Sequence, residues 1–135
     1  VAQWFLQATG RMSGLQVLAF DRWRMDVFRA ALVRAGASEE LLEKLQPFGQ
    51  GTQSMSPAVD SFEDLLLNGR LRHGGNPVLS MCAANTRIWK DTSGNRKFEK
   101  QKTSGRIDGM VATAMAIGVG AAAQTEDDEP FVVAL

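Results

Sequence analysis

Apolar and polar positions along the chain alternate with two periods, and the changes between them divide it into short elements. Val1, Trp4, Phe5, Ala8 and Met12 recur at helical spacing, predicting a helix from Val1 to about Met12 that stops near Gly14. Leu15-Gln16-Val17-Leu18-Ala19-Phe20 is short, mostly apolar and closed by Asp21, which reads as a strand buried on both faces. Val27, Phe28, Ala31, Leu32 and Ala35 share one helical face between Arg22 and Ala35, and Gly36 ends that helix. Ser38 caps a short helix, Glu39 to Lys44, with acids in the first turn where the helix dipole favours them. Leu45 to Phe48 is a strand that Pro47 confines to an edge, followed by a polar loop from Gly49 to Ser54. Ser56-Pro57 predicts a helix start, and Val59, Phe62, Leu65 and Leu66 carry that helix to a stop at Asn68-Gly69. Arg70 to His73 reads as a short strand before the Gly74-Gly75 turn, and Pro77 opens a helix to about Ala84. Thr86–Lys90 and Lys97–Lys100 flank a turn-rich tip, Thr92-Ser93-Gly94-Asn95, as the strands of a hairpin. The last helix, Arg106 to Val119, offers Ile107, Met110, Val111, Ala114, Met115 and Gly118 for close packing. Strands alternating with helices give an α/β architecture over residues 1–119, and residues 120–135 read as a mobile acidic C-terminal tail.

Composition narrows the class without naming it. At 135 residues the chain suits one domain with a real core, and 44% hydrophobic against 22% charged residues is a globular balance. No apolar run approaches the roughly 20 residues that cross a bilayer, so no membrane partner is expected, and Val1 to Leu6 lack the features of a signal peptide. The single cysteine, Cys82, excludes an internal disulfide framework and fits a reducing compartment, with the cytoplasm as the default. Net charge is zero, yet its distribution is uneven. Lys90, Arg96, Lys97, Lys100, Lys102 and Arg106 face only Asp91 and Glu99 in their stretch, whereas Glu126 to Glu129 are all acidic. The one-sided charge of the basic stretch suits a nucleic-acid backbone, with a solvated hairpin as the alternative.

The chemistry left by elimination is that of carboxylates. The chain has no P-loop, no dinucleotide fingerprint and no nucleophile elbow, and His73 and Cys82 lack the companions of a zinc site. Asp21 follows a strand and Asp108 opens a helix, positions at which carboxylate oxygens can bind hard divalent ions. Each also has a structural alternative: Asp21 as a helix N-cap, Asp108 as a favourable first-turn charge. Asp60, Glu63 and Asp64 read as the solvated face of a helix, Trp23 and Trp89 as packing residues, and Met55, Met110 and Met115 as core. His73 suits a DNA phosphate or a place near the metals, and equally a hydrogen bond within the Gly74-Gly75 turn.

Four stretches together carry a resemblance: Ala19-Phe20-Asp21-Arg22-Trp23; Gly49-Gln50-Gly51 with Ser54-Met55-Ser56-Pro57; Gly69-Arg70-Leu71-Arg72-His73-Gly74-Gly75-Asn76-Pro77-Val78-Leu79; and Arg106-Ile107-Asp108-Gly109-Met110-Val111-Ala112. In this order and spacing they resemble the C-terminal nuclease domain of tailed-phage terminase large subunits, over nearly all of residues 1–119. The resemblance implies an RNase H-like mixed sheet flanked by helices, here with its N-terminal strands and first acidic ligand missing. It implies a two-metal-ion endodeoxyribonuclease that cuts concatemeric genomic DNA during packaging, with Mg2+ or Mn2+ as cofactor and Asp21 and Asp108 as metal ligands and catalytic residues. It places Arg72, His73, Arg96, Lys97, Lys100, Lys102 and Arg106 on double-stranded DNA, in the cytoplasm of an infected bacterial host, with the portal and the small terminase subunit as further partners. With two carboxylates, the chain alone is expected to bind metal weakly and to cut poorly. The competing reading is a non-catalytic DNA-binding or assembly module of the same machinery with an incomplete metal site.

Overall fold

In the computed structural model, which describes residues 1–23, 25–100 and 105–124, helices and strands follow the order α1 (Ala2–Thr9), β1 (Leu18–Asp21), α2 (Met25–Arg34), α3 (Glu39–Glu43), β2 (Leu45–Phe48), α4 (Thr52–Leu67), α5 (Pro77–Asn85), β3 (Thr86–Lys90), β4 (Arg96–Lys100) and α6 (Asp108–Gln124). They divide into two units, Val1–Phe48 and Gly49–Leu135.

In the first unit β1 and β2 pair in parallel, from Leu18 opposite Leu45 to Asp21 opposite Phe48, with α2 and α3 making the crossover. Leu32, Leu42 and Leu45 are its buried centre, surrounded by Phe5, Leu18, Phe20, Met25 and Phe28, and the Phe5 and Phe28 rings meet edge to face at 5.3 Å. Two expectations need correction. Strand β1 is half-buried along Leu18–Phe20, not buried on both faces. Helix α2 starts at Met25, because the Asp21 carboxylate accepts from the Trp23 N–H at 3.0 Å and closes a turn before the helix. Its inward face is therefore Met25, Phe28 and Leu32, and Val27 is exposed. Ser38 caps α3 as expected, its hydroxyl accepting from the Leu41 N–H at 3.2 Å.

The second unit is built on α6. Ile107, Met110, Thr113, Ala114, Met115, Ile117 and Val119 are all buried, so most of the helix surface is covered, with Asp108 and Ala112 left exposed. Helix α4 packs along it through Met55, Ala58, Val59 and Phe62, and α5 contributes Cys82. Gly109 lets α5 and α6 come close: a Cβ there would stand 3.2 Å from Leu79 and 3.3 Å from the Cys82 sulfur. The hairpin β3–β4 lies on α4, with Phe98 edge to face on Phe62 at 6.0 Å. Among the described residues the strands thus form a parallel pair and an antiparallel pair, not the single mixed sheet expected, because the hairpin buries its inner face on a helix of its own unit.

Two boundaries also move. Helix α4 begins at Thr52 with Gly51 at its N-cap, so Pro57 stands inside the helix and not at its start. Ser56, expected as the cap, instead accepts from the Arg96 N–H through its hydroxyl at 3.0 Å. At the other end Gly69, at φ +65°, and Arg70 donate their N–H groups to Leu66 and Leu65, closing the helix where expected. Helix α6 continues past Val119 to Gln124, as the helix-favouring run from Ala121 allows. The rest of the tail, residues 125–135, lies outside the described residues.

Candidate functional site

Each aspartate singled out by sequence lies at the end of an element. Asp21 is the last residue of β1, at the carboxyl end of the parallel pair, and is exposed. Its carboxylate bonds forward to Trp23 and not into a helix, so it is no N-cap of α2. Asp108 is the first residue of α6, its side chain 82% exposed and 3.9 Å from the Arg106 guanidinium. Asp21 belongs to the first unit and Asp108 to the second. As exposed carboxylates at element ends, both present the oxygen donors that magnesium and manganese take. Among the described residues no three of His, Cys, Asp and Glu gather as a metal site.

The basic residues divide by what they touch. Arg96 is only 23% exposed and reaches both Asp60 and Glu63 of α4, its Nη1 lying 2.8 Å from Glu63. Side-chain hydrogen bonds to Asp60, then Glu63, hold its guanidinium still more firmly protonated than usual. Its charge is thus turned toward α4. Asp60, Glu63 and Asp64 are exposed, as expected of a solvated face, and are paired there with Arg96 and, for Asp64, with Arg70. Acids at i and i+3 announce such a face in the sequence, but not that their partner stands 36 residues away.

Lys97 lies opposite Trp89 on the other face of the hairpin, its ammonium 4.9 Å from the indole centre. Neither tryptophan is core: Trp89 is 37% and Trp23 78% exposed. Met55, Met110 and Met115 are buried as expected. Lys100 ends β4 opposite Thr86, Arg106 is exposed just before α6, and Lys102 lies outside the described residues. Arg72 is exposed in a single bridge, and His73 beside it is half-buried. The His73 Nδ1 is buried without a hydrogen-bond partner among the described residues, at the wall of an apolar cavity. No sequence signal distinguishes that environment from an ordinary turn histidine.

The family model "Terminase large subunit, endonuclease domain" matches residues 5–126. The chain is 51% identical over 117 residues to the terminase large subunit of Enterobacteria phage HK97, covering 87% of the chain and 22% of that protein. It is 34% identical over 98 residues to protein YmfN of Escherichia coli strain K12, covering 68% of the chain and 21% of YmfN. The crystal structure of the HK97 bacteriophage large terminase superposes with a TM-score of 0.76 at 46% identity, over 88% of this chain and 25% of that one. The chain therefore spans about a fifth of the length of the curated relatives it matches.

Proposed function

Because this chain belongs to the family of terminase large-subunit endonuclease domains, we propose that it is the RNase H-like nuclease of a phage packaging enzyme, cutting concatemeric double-stranded DNA with magnesium or manganese. The observation that carries the reading is the position of Asp21. An exposed carboxylate at the carboxyl end of a parallel strand is where open α/β sheets present their reactive groups. Asp108, exposed at the start of α6, is the second ligand. When bound, divalent ions supply the charge that stabilises attacking and leaving oxygens of the phosphodiester. Further carboxylates of the complete terminase would fill the donor set that two aspartates leave short.

The remaining residues hold DNA. Lys97, Lys100, Lys102, Arg106 and Arg72 contact phosphates, which position a duplex without reading its sequence; His73, its Nδ1 buried at an apolar wall, is not among them. Arg96 serves mainly to fix the hairpin on α4, since two carboxylates already take its charge. Residues 1–119 form the nuclease, the portal and the small subunit are its partners, and the host cytoplasm is its setting. Lys97→Gln in the complete terminase is expected to weaken binding to all duplexes alike and to lower the salt slope by about 1.

The deciding test is plasmid cleavage by the complete terminase carrying Asp21→Asn or Asp108→Asn, alongside manganese titration calorimetry. Each variant is expected to lose at least the roughly 10–100-fold that even outer-shell partners of a metal contribute. Unchanged cleavage and manganese binding in both would remove the assignment and leave a DNA-binding or assembly module.

A further inference from the structure

Between α4, α5 and the start of α6 lies an open cavity of about 320 Å³, within the range of ligand-sized sites. Phe62, Leu66, Leu71, Leu79 and Met110 make its walls apolar, which suits neither a phosphate backbone nor a metal. The same helices expose Leu67, Val78 and Met81. Of the polar residues in the lining, Ser80 and Thr113 donate their hydroxyls to the Asn76 and Gly109 carbonyls, whereas the buried Nδ1 of His73 has no partner among the described residues. A buried polar atom left in that state costs about 1–3 kcal/mol, so an occupant that brings a backbone N–H or C=O would satisfy it in either protonation state.

We propose that this cavity is the seat of the chain's own last residues, Phe131-Val132-Val133-Ala134-Leu135. Three observations select that occupant. The segment is wholly apolar, and as an extended peptide it carries the backbone donors and acceptors that His73 lacks. It is also within reach. Thr113, at the cavity wall, precedes Gln124, the end of α6, by eleven positions, or about 17 Å of helix. Residues 125–130 can span about 20 Å when extended, enough to bring Phe131 back to the cavity. Finally, a path exists: a second depression lined by Ile117 and Ala121 continues the Thr113 face of α6 toward its C-terminal end. Asp60 and Asp64, beside that depression, are already paired with Arg96 and Arg70. Apolar contact and not charge therefore holds the segment, and salt is expected not to release it.

The test uses the full 135-residue chain with a nitroxide on Ala134→Cys; Cys82, 2% exposed, stays unlabelled under native conditions. The methyl signals of Leu79 and Met110 and the ring signals of His73 should lose most of their intensity, independently of protein concentration. Phe131→Asp and Val133→Asp together should restore them. Signals unaffected by the label would overturn the proposal. So would broadening that vanishes on dilution, which would make a second copy the source of the segment. The proposal stands or falls apart from the nuclease reading, because no step of the test involves DNA or metal.

Discussion

Arg96 shows how one side chain can have two competing uses. Its guanidinium lies between Asp60 and Glu63, and its N–H is held by Ser56, so strand β4 is fixed to α4 at three points. Arg96→Met keeps the aliphatic stem and removes the pairing. With both acids partly exposed, the expected loss is about 1 kcal/mol, read from the urea midpoint, with the hairpin amides losing most protection. Asp91 holds the hairpin's other end. The Asn95 side chain, and then the backbone N–H groups of the turn, hold its carboxyl below the ordinary 3.8. A lowered folded pKa means this support is complete at neutral pH and disappears as the pH falls through the lowered value, below about 4. An NMR titration should show Asn95→Ala returning Asp91 toward 3.8. The turn was legible because Asp, Ser, Gly and Asn are turn formers wherever they cluster. The Arg96 fork was not, since charge counting along a sequence sees neither how far an arginine reaches nor which acids it meets.

Helix and strand positions were legible to within a few residues because periodicity is a local property, and both aspartates fell at the element ends where sequence put them. What sequence missed at this scale is settled between elements. Nothing in Leu45-Gln46-Pro47-Phe48 says that it pairs in parallel with β1, or that the hairpin strands pair with each other alone. Ser56-Pro57 resembles a start signal, yet the packing of Met55, Ala58 and Val59 on α6 draws the helix one turn further back. Pro57 then sits where its missing N–H leaves the Gln53 carbonyl without its helical donor. Pro57→Ala should raise stability, by up to the roughly 3 kcal/mol that separates the two residues in a helix interior, visible as a higher Tm. Gly109 works in the opposite sense. Alanine favours helix there, but valine would press on Leu79 and the Cys82 sulfur, so Gly109→Val should cost about 1–3 kcal/mol in urea.

At the scale of the molecule, each of the two units has a fully buried core anchor among the described residues: Leu32 in the first, Ile117 in the second. Cutting either to alanine should cost about 2–5 kcal/mol. Hydrogen exchange should place the Leu32→Ala loss within residues 1–48 and the Ile117→Ala loss beyond residue 49. Composition announced one domain of ordinary size; a division at Phe48 and Gly49 leaves no trace in apolar content, only in which side chains meet. The close approach of α5 and α6 at Gly109 carries one more consequence, and it concerns time. The sulfur of Cys82 lies under that contact, and it is the chain's single thiol. A thiol reagent can reach it only during the moments when the two helices part. The rate of its modification therefore counts those openings directly, giving the second unit a built-in clock that runs faster with every loosening of its core.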